Sequence, residues 1–293
     1  MVLMSLSFPI YDVEPSDFPF LLREIPQVPL KLNYRGILPP VNMKLLAVVG
    51  SRKYSTYGKQ AVEYLLGGLR GYNIGIVSGL ALGIDSLAHE AALQNDLYTL
   101  AIPGSGLDDT VIYPASHKQL ARKILEHGGG MLSEFDRTFT ATKWSFTQRN
   151  RIMAGIAHAT LMIEAGERSG TLITARMATD YNRELLVVPG NIFSSNSAGV
   201  HQFLKLGATP VTTAEDILYA LGLDPVQKST QNETDKKLTT AEKEVITALV
   251  EPQDRDWLIR TLNIEAHLAN VLLMQMEMKG LISESNGHYR RTS

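Results

Sequence analysis

The chain has 293 residues, 44% hydrophobic and 20% charged, which suits one large domain plus a small one and argues against wholesale disorder. It contains no cysteine, so disulfides, thiolate metal sites and thiol catalysis are excluded. The seven histidines are scattered without metal-ligand spacing, so neither a metal nor another cofactor is expected. At a formal net charge of −2, any polyanionic partner has to be met by locally clustered cations.

The opening MVLMSLSFPIYDVEPSDFPF lacks a basic n-region and soon meets Asp12 and Glu14, unlike a secretory signal. No apolar run approaches the roughly 20 residues of a membrane helix, so a soluble cytoplasmic protein without a membrane partner is expected. Residues 1–44 carry Pro9, Pro15, Pro19, Pro26, Pro29, Pro39 and Pro40, which predict an extended segment packed on the core. From Leu45 the pattern changes. LLAVVG (45–50), NIGIVSG (73–79), LYTLAIPG (97–104), GMLSEF (130–135), ATLMIEAG (159–166) and ELLVVPG (184–190) read as strands, most of them closed by glycine. Helical stretches lie between and after them, near 56–70, 84–94, 115–127, 148–157, 171–182 and 197–206. Continuous apolar strands imply burial on both faces. The reading is therefore an α/β fold over 45–222, an extended Rossmann-like parallel sheet flanked by helices.

Residues 223–238 are polar and charged and read as a linker. Residues 239–293 form a compact module of three helical segments followed by two strand-like runs around Asn286-Gly287, the pattern of a winged helix. Its first helix is read with Thr240 as N-cap and Lys243 at the third position, without a capping box.

Ligands of parallel α/β sheets sit outside the carboxyl ends of the strands, and four loops there are rich in glycine and hydroxyls. They are Gly50-Ser51-Arg52, the segment from Ser78 and Gly79 to Asp85, Pro103-Gly104-Ser105-Gly106, and Glu167-Arg168-Ser169-Gly170-Thr171. Backbone N–H groups at helix starts make such loops an anion-binding rim. The first turn reads GSRKYSTYG rather than G-x-G-x-x-G, and there is no Walker A lysine, which argues against a dinucleotide or nucleoside triphosphate. Lys143, Trp144, Phe146, Arg149 and Arg151 interleave cations with aromatics, as suits a polymer of phosphates and stackable bases. The competing reading pairs Arg149 and Arg151 with acidic residues of the sheet and sends Trp144 and Phe146 into the core.

In order along residues 30–221, GSRKYSTYG, VSGLALGID-SLAH, PGSGLDDTVIYP, SEF, F-TQ-RNRIMAGI, EAGERSGTLITA and VVPGNI together resemble the DprA/Smf family of bacterial DNA-processing proteins. The resemblance implies a non-enzymatic protein that binds single-stranded DNA. It further implies homodimerisation, protection of incoming DNA and loading of the RecA recombinase during natural transformation. Carried over by position, the DNA contacts are Ser51, Arg52, Lys143, Phe146, Arg149, Asn150, Arg151, Ser169, Gly170 and Thr171. The loop residues Ser78, Gly79, Gly104, Ser105 and Gly106 join them as rim candidates. The sequence departs from the family pattern at Thr147, where proline is usual, and at His117 and His201, where asparagine is usual.

Two other readings compete. A nucleotide-processing enzyme could use Asp85 and His89, which share a helix face, with Glu134 and Glu164 at strand ends. A winged-helix transcription regulator would read DNA with its third helix. That helix has no Lys or Arg from Ile264 to Met278, whereas a major-groove reader needs cations nearby.

Overall fold

The computed structural model describes residues 8–225, 239–249, 253–262, 265–278, 281–285 and 287–291. In chain order the first unit consists of β1 (Ile10–Val13), α1 (Phe20–Arg23), β2 (Leu32–Gly36), β3 (Lys44–Val49), α2 (Thr56–Gly67), β4 (Ile74–Ser78), α3 (Ile84–Gln94) and β5 (Tyr98–Ala101). It continues through α4 (Lys118–Glu126), β6 (Gly130–Ser133), α5 (Lys143–Ile156), β7 (Ala159–Met162), α6 (Thr171–Asp180), β8 (Glu184–Val187), α7 (Ala198–Lys205), β9 (Thr209–Pro210) and α8 (Ala214–Ala220).

The nine strands form one sheet in the order β1-β2-β6-β5-β4-β3-β7-β8-β9. Strands β3 to β9 pair in parallel, as the continuous apolar runs require. Side chains alternate across β3. Leu46 and Val48 join α2, α3 and α8 on one face, while Leu45, Ala47 and Val49 join α5, α6 and α7 on the other.

The N-terminal segment is more than a packed arm. β2 pairs antiparallel with β6, Tyr34 opposite Leu132, and β1 pairs antiparallel with β2, so residues 10–36 supply two strands of the sheet. The sheet is therefore mixed at this edge rather than wholly parallel. Phe18, Leu22, Ile25 and Leu32 are buried in the same core as α5. At about 1.5–3 kcal/mol per buried side chain, this burial readily holds a proline-interrupted segment. Leu22 and Ile25 lie against Gly155 of α5, where a methyl group would meet Ile25 at 2.8 Å.

The second unit has α9 (Thr240–Ala248), β10 (Gln253–Asp254), α10 (Arg255–Leu262), α11 (Ala266–Met278), β11 (Ile282–Ser285) and β12 (His288–Arg291), with a three-stranded antiparallel sheet in the order β10-β12-β11. Val245, Leu249, Leu258, Leu273, Met276 and Ile282 form its core. Three helices and the antiparallel pair β11–β12 are present, together with a third strand, β10. The first helix starts differently from the sequence reading. Thr239 is its N-cap, and a capping box joins Thr239 to Glu242, whose carboxylate accepts from Thr239 N at 2.7 Å. Asn286 and most of the 223–238 linker lie outside the described residues. At its start, Leu223 packs on the core and Pro225 O accepts from Tyr72 Oη at 2.7 Å. The chain divides into units of residues 1–228 and 229–293. No helix among the described residues is long and apolar enough to cross a membrane.

Candidate nucleic-acid interface

β3 and β7 are neighbours, but the chain leaves them in opposite directions, toward β4 on one side and β8 on the other. Their following loops part at the carboxyl edge of the sheet and open a crevice. A cleft of about 820 Å³ occupies it. The loop after β3 lines it with Gly50 to Lys53, and the loop after β7 with Gly166 and Arg168 to Thr171. One face of α5 adds Lys143, Phe146, Thr147, Arg149, Asn150 and Met153, while Tyr113 and Asn196 come from the loops after β5 and β8. Five cations, Arg52, Lys53, Lys143, Arg149 and Arg168, line the cleft against one carboxylate, Asp85. Among the described residues Arg52, Lys53, Lys143 and Arg168 enter no ion pair, although nine pairs of a lysine or arginine with a carboxylate form elsewhere. A chain with a net charge of −2 thus concentrates uncompensated positive charge at one place.

The face of α5 exists because the helix starts at Lys143, five residues before the start read from the sequence. Thr142 and Ser145 form a capping box, with Thr142 N donating to Ser145 Oγ at 3.0 Å and Ser145 N to Thr142 Oγ1 at 3.4 Å. Helical spacing then stacks Lys143, Phe146 and Asn150 along the cleft. Phe146 is half-buried. The Arg52 guanidinium lies 5.2 Å from its ring centroid and the Tyr113 ring 5.6 Å from it. The aromatic thus props Arg52 by cation–π attraction as well as lining the cleft.

Arg149 is a wall of the cleft rather than a free arm. It is 4% exposed, donates to Ile102 O, and packs on Gly79 so closely that any side chain there would collide with it. Burial lowers its pKa to about 10, so it stays charged at neutral pH. Asp85 lies nearby and accepts from Gly79 N at 3.1 Å. Burial pushes its carboxyl up, while Arg149, the N–H groups of Ala81 and Gly79, and Arg52 pull it back.

Six sequence candidates sit behind the cleft lining. Ser78 and Ser105 are buried, their hydroxyls donating to Val48 O and Gly106 O. Gly79, Gly104 and Gly106 are small because protein approaches them: Arg149, the Phe146 ring, and the carbonyls of Asp136 and Arg137 respectively. Arg151 falls off the cleft face of α5, pairs with the buried Glu134 and donates to Gln27 O at 2.8 Å, as the competing reading had it. Trp144 is half-exposed and edges against Phe135 and Phe139, away from the cleft lining.

Among the helices that start at this edge, α2, α3 and α6 follow β3, β4 and β7, the strands at the centre of the cleft. Glu164 occupies the N-terminus of α2, accepting from Ser55 N at 2.9 Å and from Ser55 Oγ at 2.5 Å. Asp85, in the first turn of α3, turns back to the N–H groups of Gly79 and Ala81 in the loop before it. α6 starts at Thr171 behind Gly170, and its first N–H groups are met locally: Thr171 N donates to Ser169 Oγ at 3.2 Å and Leu172 N to Ser169 O at 3.1 Å, with the hydroxyls of Ser169 and Thr171 linked at 2.9 Å. The enzymatic dyad is not formed. His89 is fully buried, and Thr99 Oγ1, whose proton goes to Ile76 O, accepts from its Nδ1 at 2.7 Å. Burial drives its pKa down to about 3. Of the two glutamates, Glu164 braces a loop N–H as a structural group would, and Glu134 is spent on Arg151 and Gln148. Among the described residues no cluster of His, Asp or Glu gathers to hold a metal.

A family model described as DNA recombination-mediator protein A matches residues 10–222, from β1 through α8. The chain belongs to that family. DprA of Streptococcus pneumoniae is 39% identical over 211 residues, covering 72% of this chain and 73% of the relative. Smf of Escherichia coli is 39% identical over 216 residues, covering 73% of this chain and 57% of the relative. The X-ray structure of the pneumococcal protein superimposes with a TM-score of 0.67 at 38% identity, over 73% of this chain and 74% of that one. DNA processing protein A of Helicobacter pylori, solved to explain its single-stranded DNA binding mode, gives 0.66 at 28% identity over 73% and 96%. The family match includes the two N-terminal strands and stops before the second unit.

Within this family frame, the cleft holds residues that motif reading passed over. Lys53 and Arg168 each adjoin a candidate in sequence, and that adjacency was the available signal. Asn196 comes from the loop after β8, whose place at the same sheet edge was predictable from the strand pattern. In the second unit, α11 carries no cation and exposes Leu268, Val271 and Met274, one helical turn apart, unlike a helix that reads a major groove.

Proposed function

We propose that this recombination mediator binds single-stranded DNA in the cleft between β3 and β7, independently of sequence. The observation that carries this reading is the convergence on one cleft of four exposed cations free of ion pairs and a half-buried aromatic. Arg52, Lys53, Lys143 and Arg168 track the phosphates, Phe146 and Asn150 meet bases, and the Ser169-Gly170-Thr171 turn anchors a phosphate. Ser51 shapes its turn, its hydroxyl accepting from Lys53 N at 3.0 Å. Arg149 and Asp85 form the rigid floor.

We propose further that the protein acts in the cytoplasm as a homodimer, protects incoming DNA and delivers it to RecA recombinase during natural transformation, a role that its family membership supports. The boundaries that go with this role are an α/β body that takes in residues 8–44, and a C-terminal winged helix from 239.

Fluorescence anisotropy with single- and double-stranded oligonucleotides over a salt series tests the proposal. Single strands should bind tighter, the affinity should fall steeply with salt, and Arg52→Ala should cost more than any other surface substitution. Equal binding by wild type and Arg52→Ala removes the cleft from consideration.

A further inference from the structure

The loop after β8 carries the most exposed aromatic side chain among the described residues. Phe193 is 91% exposed and its neighbour Ile192 77%, a combination that costs solvation and contributes nothing to the fold. The loop holding them is nevertheless tied down. Asn191 Oδ1 accepts from Phe193 N at 2.8 Å, Asn191 O from Ser194 N at 3.0 Å, and Ser194 O from Ser197 N at 3.1 Å. Asn196 O accepts from Ala165 N at 2.7 Å, and Gly190 O is bound by His201 Nε2 at 3.0 Å. A turn fixed at so many points presents its side chains in one place rather than sweeping them through solvent.

That place adjoins the cleft. Asn196 lines the cleft and donates to Lys53 O at 3.0 Å, so the Phe193 loop is hydrogen-bonded to the loop that carries Arg52. Across the carboxyl edge the loops follow in the order β5, β4, β3, β7, β8. Phe146 contacts Tyr113 from the loop after β5, while Phe193 stands beyond β7 at the other end. Four strand spacings of roughly 4.8 Å separate the two ends, about 19 Å. At a stacked rise of about 3.4 Å per nucleotide this corresponds to about six nucleotides.

We infer that Phe193, seconded by Ile192, is a second base-stacking platform, receiving single-stranded DNA where it leaves the cleft on the β8 side. The inference rests on the proposed cleft. Continuity with that cleft through Asn196 and Lys53, and the cation Arg168 on the intervening β7 loop, favour a nucleic-acid occupant over a protein. Rigid aromatics on a sheet edge suit an unpaired base, which offers a π-face whatever its sequence.

The test compares the full chain with Phe193→Ala and Phe193→Trp, using thymidine oligonucleotides of 5 and 15 nucleotides. With an exposed side chain removed, the melting temperature should not move. Phe193→Ala should weaken the 15-mer about fivefold to a hundredfold, the value of one base–aromatic stack, and leave the 5-mer and the salt slope unchanged. Phe193→Trp should hold the 15-mer at least as well as wild type, with quenching of the new indole on binding. Unchanged 15-mer binding by Phe193→Ala, or equal loss for both lengths, overturns the inference while leaving the cleft in place. So does a change in oligomeric state by sedimentation with DNA binding intact, which would make the patch an interface between copies. Failure of wild type to bind either oligonucleotide overturns the cleft reading and this inference with it.

Discussion

Replacing Arg149 with methionine distinguishes a structural arginine from a DNA contact. Methionine keeps an apolar stem but removes the donor to Ile102 O and the positive charge near Asp85. Arg149 and Asp85 form no salt bridge, so the loss is that of a buried acceptor, Ile102 O, left unpaired beside a carboxyl deprived of a nearby opposite charge, about 1–3 kcal/mol. In a unit of this size each kcal/mol moves the midpoint by about 2–4 °C, so the α/β melt should fall by roughly 2–12 °C. The loss should depend on pH. Burial already raises the Asp85 carboxyl above its ordinary 3.8, and without Arg149 it rises further. The folded variant then keeps a proton that the unfolded chain releases near 3.8, so its deficit grows as pH rises from there and shrinks as pH falls toward 4. Asp85→Asn in the same chain should restore part of the loss at neutral pH. Calorimetry at pH 4.5 and 7.5 on wild type, Arg149→Met and the double variant measures all of this. An Arg149→Met protein that melts with wild type yet no longer binds single strands would refute the argument and make Arg149 a phosphate ligand.

The aromatic and the lysine of α5 separate stacking from charge. Phe146→Ala should lose about 1–3 kcal/mol of single-strand binding with little change in salt slope, whereas Lys143→Ala should flatten that slope by roughly 0.7 in titrations from low to high salt. His89 gives the fold an acid limit. The unfolded chain protonates near 6.5, but the folded chain not until about pH 3, so stability falls as pH drops through that window and is flat above it. The shift corresponds to up to about 5 kcal/mol, and His89→Gln should flatten the profile in denaturant titrations. A chain ending at Pro225 should keep the α/β melting transition and most of the single-strand affinity, because Tyr72 and the core are served up to that residue. A drop in either quantity would tie the second unit to the first.

Buried parallel strands announce themselves in sequence, since runs such as LLAVV and IGIVS must be apolar on both faces, and glycines mark where they end. Edge strands do not. LNYRG (32–36) pairs on one side with residues almost a hundred positions away, and that pairing is what joins it to the sheet. The start of α5 was hidden because its box uses Ser145 where Glu or Gln is the usual signal. The same limit governs the site. Arg52 and Arg149 look alike in sequence, and what separates them is tertiary: Gly79 and Asp85 close over one, while Phe146 holds the other in the open. Neighbouring charges such as Arg168 were legible by position, but the burial of Arg151 by Glu134 depended on the fold.

The carboxylate of Glu164 at the head of α2 has one more consequence. In nucleotide-binding relatives of this architecture, the first helix of the sheet greets a pyrophosphate at its N-terminus. Here a tenant that never leaves fills that berth, bonded to Ser55 through both backbone and hydroxyl, with Gly58 left bare to let it lie close. A mononucleotide arriving at the cleft therefore finds its strongest single anchor taken, and only scattered cations remaining. A polymer can touch many of those cations at once, and each contact raises the local concentration for the next. Discrimination against free nucleotides is thereby built in as a matter of valency, with no need for a gate.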